Sequence, residues 1–66
     1  MTIIHNGHRI EIPAGTSLGS FVRRWSRPDA PMMVRLNGVL VPAGRRDAAN
    51  LAEGDRLDIV LFMGGG

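Results

Sequence analysis

The chain has 66 residues, enough for one domain and too few to enclose a deep active site. It has no cysteine, which excludes disulfides, thiolate catalysis and cysteine-ligated zinc. Its eight basic residues are all arginine and face six acids, and a net charge of only +2 argues against nucleic acid as the partner.

The first expected strand is Thr2 to Asn6, with Ile3 and His5, or else Ile4 alone, facing the core. Gly7-His8 is a turn candidate. Arg9-Ile10-Glu11-Ile12 alternates polar and apolar residues, which predicts a second strand with Ile10 and Ile12 inward. Pro13-Ala14-Gly15 ends it, and Thr16 or Ser17 can cap a helix. Leu18, Phe21, Val22 and Trp25 then recur at helical spacing and share one face. Gly19, Ser20, Arg23 and Arg24 fall on the other, solvated face. Trp25 closes the apolar stripe and is expected in the core. Arg27-Pro28-Asp29-Ala30-Pro31 stops the helix, because proline cannot continue it.

Met32 to Asn37 reads as a third strand, with Met32, Val34 and Leu36 on one face. Asn37-Gly38 is a strong hairpin signal, since both residues tolerate positive φ. Val39-Leu40-Val41 returns as a short fourth strand and stops at Pro42. Residues 43 to 50 are polar and irregular, with a helical turn around Asp47-Ala48-Ala49. Glu53-Gly54-Asp55 is a turn. Arg56 to Phe62 is the last strand, with Leu57, Ile59 and Leu61 on one face and Asp58, Val60 and Phe62 on the other.

This order predicts an α+β fold: one helix across a mixed sheet of four or five strands, the β-grasp arrangement. The first and last strands then pair in parallel at the sheet centre. Residues 1–62 form the domain, and 63–66 are a flexible tail. The apolar runs are too short and interrupted for a transmembrane helix. The start, Met1-Thr2-Ile3-Ile4-His5, lacks the basic and long apolar regions of a signal peptide, so the cytoplasm is the expected compartment.

The tail reads Met63-Gly64-Gly65-Gly66. Four extended residues reach at most about 14 Å. Glycine has no Cβ, so such a tail can thread a channel too narrow for other residues. A frayed or truncated end has the same composition; the order of elements ahead of it favours a function. With no lysine, the chain has no side-chain amine for a Schiff base or an isopeptide bond. Only the α-amino group of Met1 is left to attack an activated C terminus.

Five stretches carry a family resemblance. They are Ile3-Ile4-His5-Asn6-Gly7, Pro13-Ala14-Gly15-Thr16-Ser17-Leu18, Val34 through Pro42, Leu51-Ala52-Glu53-Gly54-Asp55-Arg56-Leu57 and the terminal glycines. Together they resemble the ThiS family, the ubiquitin-like sulfur carriers of thiamine biosynthesis. That family usually ends in two glycines, and this chain ends in three. The resemblance implies that Gly66 is the modified residue, Gly65 the other member of the pair and Gly64 an extension.

It also implies a mechanism and a set of partners. An E1-like, ThiF-like adenylyltransferase activates the Gly66 carboxylate with ATP and magnesium, which the partner binds. A sulfur donor such as a cysteine desulfurase then supplies the sulfur of a thiocarboxylate, which goes to a ThiG-like thiazole synthase. The chain itself binds no cofactor or metal and is a carrier, not an enzyme. Molybdopterin-synthase small subunits, other sulfur carriers and protein modifiers share the fold and remain alternatives. From another class, TGS-like RNA-binding modules share the Pro-Ala-Gly-Thr stretch and the two turns.

Several residues carry a structural and a functional reading. Val60 and Phe62, with Met63 beside them, form an apolar patch suited to docking a partner. His5 and His8 have no third ligand nearby and read as surface or strand-packing residues. Asp55 is a turn residue and Asp58 an exposed strand residue, not a catalytic pair. Arg23, Arg24, Arg45 and Arg46 are solvated charges that can steer an acidic partner.

Overall fold

The computed structural model describes residues 1–26 and 31–62. Strands β1 (Thr2–His5) and β2 (His8–Glu11) form the first hairpin. Its turn is Asn6-Gly7, one residue earlier than the expected Gly7-His8. The reason lies in the backbone: Asn6 and Gly7 hold φ of 49° and 85°, the paired positive values of a tight hairpin turn. His8 is thereby released to open β2. Ile3 and His5 face inward and are buried, which settles the open choice on β1.

Helix α1 (Leu18–Trp25) follows. Ser17 is its cap, its Oγ accepting from the N–H of Ser20 at 3.1 Å. Leu18, Phe21 and Val22 are buried as the spacing predicts. Trp25 is not in the core: it is 39% exposed. It occupies the last helical position and packs edge to face against His5.

Strands β3 (Met32–Leu36) and β4 (Val39–Leu40) make the second hairpin around Asn37-Gly38, with φ of 52° and 84°. A 3₁₀ segment, Ala43–Ala48, occupies the stretch expected to be irregular. The residues after it run back along the helix entrance. Leu18 N–H donates to the Ala49 carbonyl at 2.8 Å and Leu51 N–H to that of Thr16 at 3.1 Å. Leu51 becomes a core residue there. Strand β5 (Arg56–Leu61) completes the sheet.

The strand order is β2-β1-β5-β3-β4, with β1 and β5 parallel at the centre and the other pairs antiparallel. This is the five-stranded form of the expected β-grasp sheet, with α1 packed across it. Ile3, Leu18, Phe21, Val22, Val34, Leu51, Leu57 and Ile59 are the buried core, and Ile10, Ile12, Met32 and Leu36 pack on its margin. Leu61, expected inward, is 40% exposed. Eight helical residues span only about 12 Å, so the helix cannot cover both ends of the longer β5. Asp58 is half-buried, not exposed as expected.

Candidate functional site

The site suggested by the sequence is the end of β5 and the chain beyond it. Met63, Gly64, Gly65 and Gly66 lie outside the described residues. The root of that segment is well defined. β5 is bonded on both sides, and its register against β3 runs unbroken from Leu36↔Leu57 to Met32↔Leu61. One residue on, Phe62 N–H donates to the Pro31 carbonyl at 3.0 Å. The backbone is therefore held up to Phe62.

Two asparagines reinforce this strand from the turns. Asn6 Oδ1 accepts from Ile59 N–H at 2.8 Å, and its Nδ2 donates to the Ile59 carbonyl at 3.1 Å. The side chain thus continues the β1 ladder after β1 has turned away. Asn37 Oδ1 accepts from Arg56 N–H at 3.0 Å, and its Nδ2 donates to Asp55 Oδ1 at 3.0 Å. Asp55 also accepts from Ala52 N–H at 2.7 Å, as its reading as a turn residue requires.

On the sheet face away from α1, Val60 is paired directly with Met33. Val60 is 47% exposed and Phe62 52%, as the alternation of β5 predicts. Met33 is exposed beside them; Leu40 is exposed on the same face, but Arg35 lies between it and Asp58 in the register. Sequence reasoning alone does not single out Met33 and Leu40. A signal for Met33 is nonetheless present: it is out of phase with the inward Met32, Val34 and Leu36, so it shares the outer face with Val60. Val60, Phe62 and Met33 form an apolar strip at the end of β5, and Leu40 stands apart from it beyond Arg35.

Elsewhere, Arg23 Nη1 meets Asp47 Oδ1 at 2.7 Å. His5 and His8 are cross-strand neighbours, and His5 is a buried strand-packing residue. Among the described residues no three histidine, aspartate or glutamate side chains gather as metal ligands. No helix among them is long and apolar enough to cross a membrane.

A β-grasp body with a firmly anchored last strand, an apolar strip and a glycine-rich extension defines a ubiquitin-like carrier-type protein. Residues 2–66 match the model of the ThiS family, and the chain belongs to that family. Its members are small ubiquitin-like sulfur carriers of thiamine biosynthesis. Among solved structures, the chain is similar to the crystal structure of a thiamine biosynthesis protein, ThiS, from Geobacter metallireducens. That likeness has a TM-score of 0.83 and 25% identity, and it covers 100% of both chains. A solution structure of a thiamine biosynthesis protein from the same organism matches with a TM-score of 0.79 and 23% identity. It covers 100% of this chain and 88% of the other, a likeness of fold. No curated protein matches.

Proposed function

We propose that this chain is a sulfur carrier of thiamine biosynthesis and that the Gly66 carboxylate is its working group. The observation that carries the reading is the family match across residues 2–66, which includes the glycines. A C-terminal carboxylate has a reference pKa near 3.3–3.7, so it is ionised at neutral pH. It is a competent nucleophile toward the α-phosphate of ATP and, unactivated, a poor acyl donor to sulfur. An E1-like, ThiF-like partner, which binds ATP and magnesium, converts it to an acyl-adenylate with loss of pyrophosphate.

The terminal sulfur of a persulfide, supplied through a donor such as a cysteine desulfurase, then displaces AMP and forms an acyl disulfide. A partner thiol attacks the S–S bond, releases the thiocarboxylate and is left as a disulfide. The thiocarboxylate is a soft nucleophile and passes to a ThiG-like thiazole synthase. The carrier supplies no acid, base or metal.

Its own residues do two things. Gly64, Gly65 and Gly66 allow entry into a narrow channel. Val60, Phe62 and Met63, extended by Met33, hold the partner against the body. A tail of four residues reaches at most about 14 Å, so a partner acting on Gly66 must lie against the end of β5.

The experiment is intact mass analysis of the protein from its native host, grown without thiamine. A gain of about 16 Da marks sulfur in place of oxygen, and since methionine oxidation adds nearly the same mass, fragmentation must place it on Gly66. Absence of any thiocarboxylate under thiamine starvation would sink the reading.

A further inference from the structure

His5 stands apart from the sheet face that serves the proposed function. It points from β1 toward α1 and is 9% exposed. Its ring meets Phe21 edge to face, with centroids 5.3 Å apart at 79°, and Trp25 likewise at 4.8 Å and 87°. Its Nε2 is buried and has no hydrogen-bond partner among the described residues. The neighbouring elements bring two titratable groups to it: His8, directly opposite on β2, and Asp58 on β5. The α1 side of the contact consists of the two neutral aromatic rings. Such a cage accepts a neutral imidazole and penalises an unpartnered imidazolium.

We propose that His5 is an acid-sensitive wedge: when it takes a proton, the last turn of α1 lifts from β1 and carries Trp25 into water. Trp25 is the group that yields. It is the final helical residue and already 39% exposed, whereas Phe21 is buried in the core. Beyond it, among the described residues, the helix is closed by the bond from Ser26 N–H to the Val22 carbonyl at 2.8 Å. Opening at a helix end costs less than disrupting the core.

Burial, reinforced by His8 and opposed by Asp58, holds the His5 pKa below its ordinary value of 6.5. The closed state therefore favours the neutral ring. The full stability of the last turn is present above that ordinary value. It is lost as pH falls from there toward the lower value of the closed state.

The test uses the intact protein. Imidazole NMR titration of His5 and His8 is run beside the fluorescence of Trp25, the single tryptophan. Hydrogen exchange at the Trp25 and Ser26 amides is followed in parallel. The expected result is a red shift of Trp25 emission that tracks His5 and not His8. The opening constant of those two amides should rise by up to about tenfold per pH unit below the ordinary histidine pKa. His8→Gln should keep the transition, and His5→Phe should abolish it. Protonation of His5 with Trp25 emission unchanged would overturn the proposal. So would His5 titrating above its ordinary value, because the two rings would then be holding the imidazolium as cation–π partners. The titration of the unmodified protein decides the matter even if His5→Phe does not fold.

Discussion

Asp47 fills the space that a side chain on Gly19 would need. A Cβ on Gly19 would lie 1.9 Å from Asp47 Oδ1 and 3.2 Å from Asp47 Cα. The missing side chain is what lets the 3₁₀ segment close on α1, and it brings Asp47 within reach of Arg23. Alanine at position 19 displaces the carboxylate and breaks this exposed ion pair, a loss of at most about 1 kcal/mol. It also raises helix propensity by roughly the same amount. Gly19→Ala is therefore expected to fall within about 1 kcal/mol of the parent in urea unfolding. The alanine Cβ already crowds Asp47 Cα slightly, and the larger side chain of Gly19→Leu presses much harder on that backbone and should lose about 1–3 kcal/mol. Asp47→Ala and Gly19→Ala should be non-additive, since the first removes the atom the second collides with.

Asn6 performs a task that its backbone geometry and its side chain share. At φ of 49° it sits where asparagine is tolerated better than alanine, and it takes both backbone groups of Ile59. Asn6→Ala removes two hydrogen bonds and strains the turn, an expected loss of about 1–3 kcal/mol. Asn6→Gly relieves the strain and not the bonds, so it should recover only part. Hydrogen exchange at the Ile59 amide separates the two effects: it should speed up in both variants.

Phe62 and Met33 lie on the outer face, so charge there leaves the core intact. Phe62→Asp and Met33→Asp should each weaken binding to the proposed activating partner by about tenfold or more, as loss of a central apolar contact does. Circular dichroism should stay native. Unchanged affinity in a calorimetric titration of either variant would remove the strip from the docking surface.

Leu57 is fully buried and stands at the crossing of β1, β5 and β3. Leu57→Ala is expected to lose about 2–5 kcal/mol, a large share of what a small domain has. A variant whose denaturation midpoint moved by only a fraction of that would show that the core collapses readily around the gap.

Much of this architecture is legible in the amino-acid order. Alternation on β3 and β5 assigns Val34, Leu57 and Ile59 inward, and Asn37-Gly38 marks its turn correctly. The first hairpin is harder, because Asn6-Gly7-His8 offers two overlapping turns. What separates them is the bidentate bond from Asn6 to Ile59, a contact 53 residues away in the chain. Gly19 reads as solvated because periodicity detects only apolar faces. A glycine that admits a neighbouring backbone leaves no hydrophobic mark. Trp25 obeys the helical spacing, yet spacing does not say where a short helix runs out of sheet to cover. At the candidate site, Val60 and Phe62 lie on the outer face as the alternation indicates. The alternation of β3 puts Met33 on the outer face as well, but its place beside Val60 emerges only when β3 is laid against β5 in register.

The central position of β5, between a parallel and an antiparallel neighbour, also has a mechanical meaning. A pull on its C-terminal end runs along the strand, across the axis of its hydrogen bonds. The bonds to β1 and β3 are then loaded in shear and must give way together, instead of unzipping one after another. The domain thus resists extension along the line of this strand far better than it would along an edge strand.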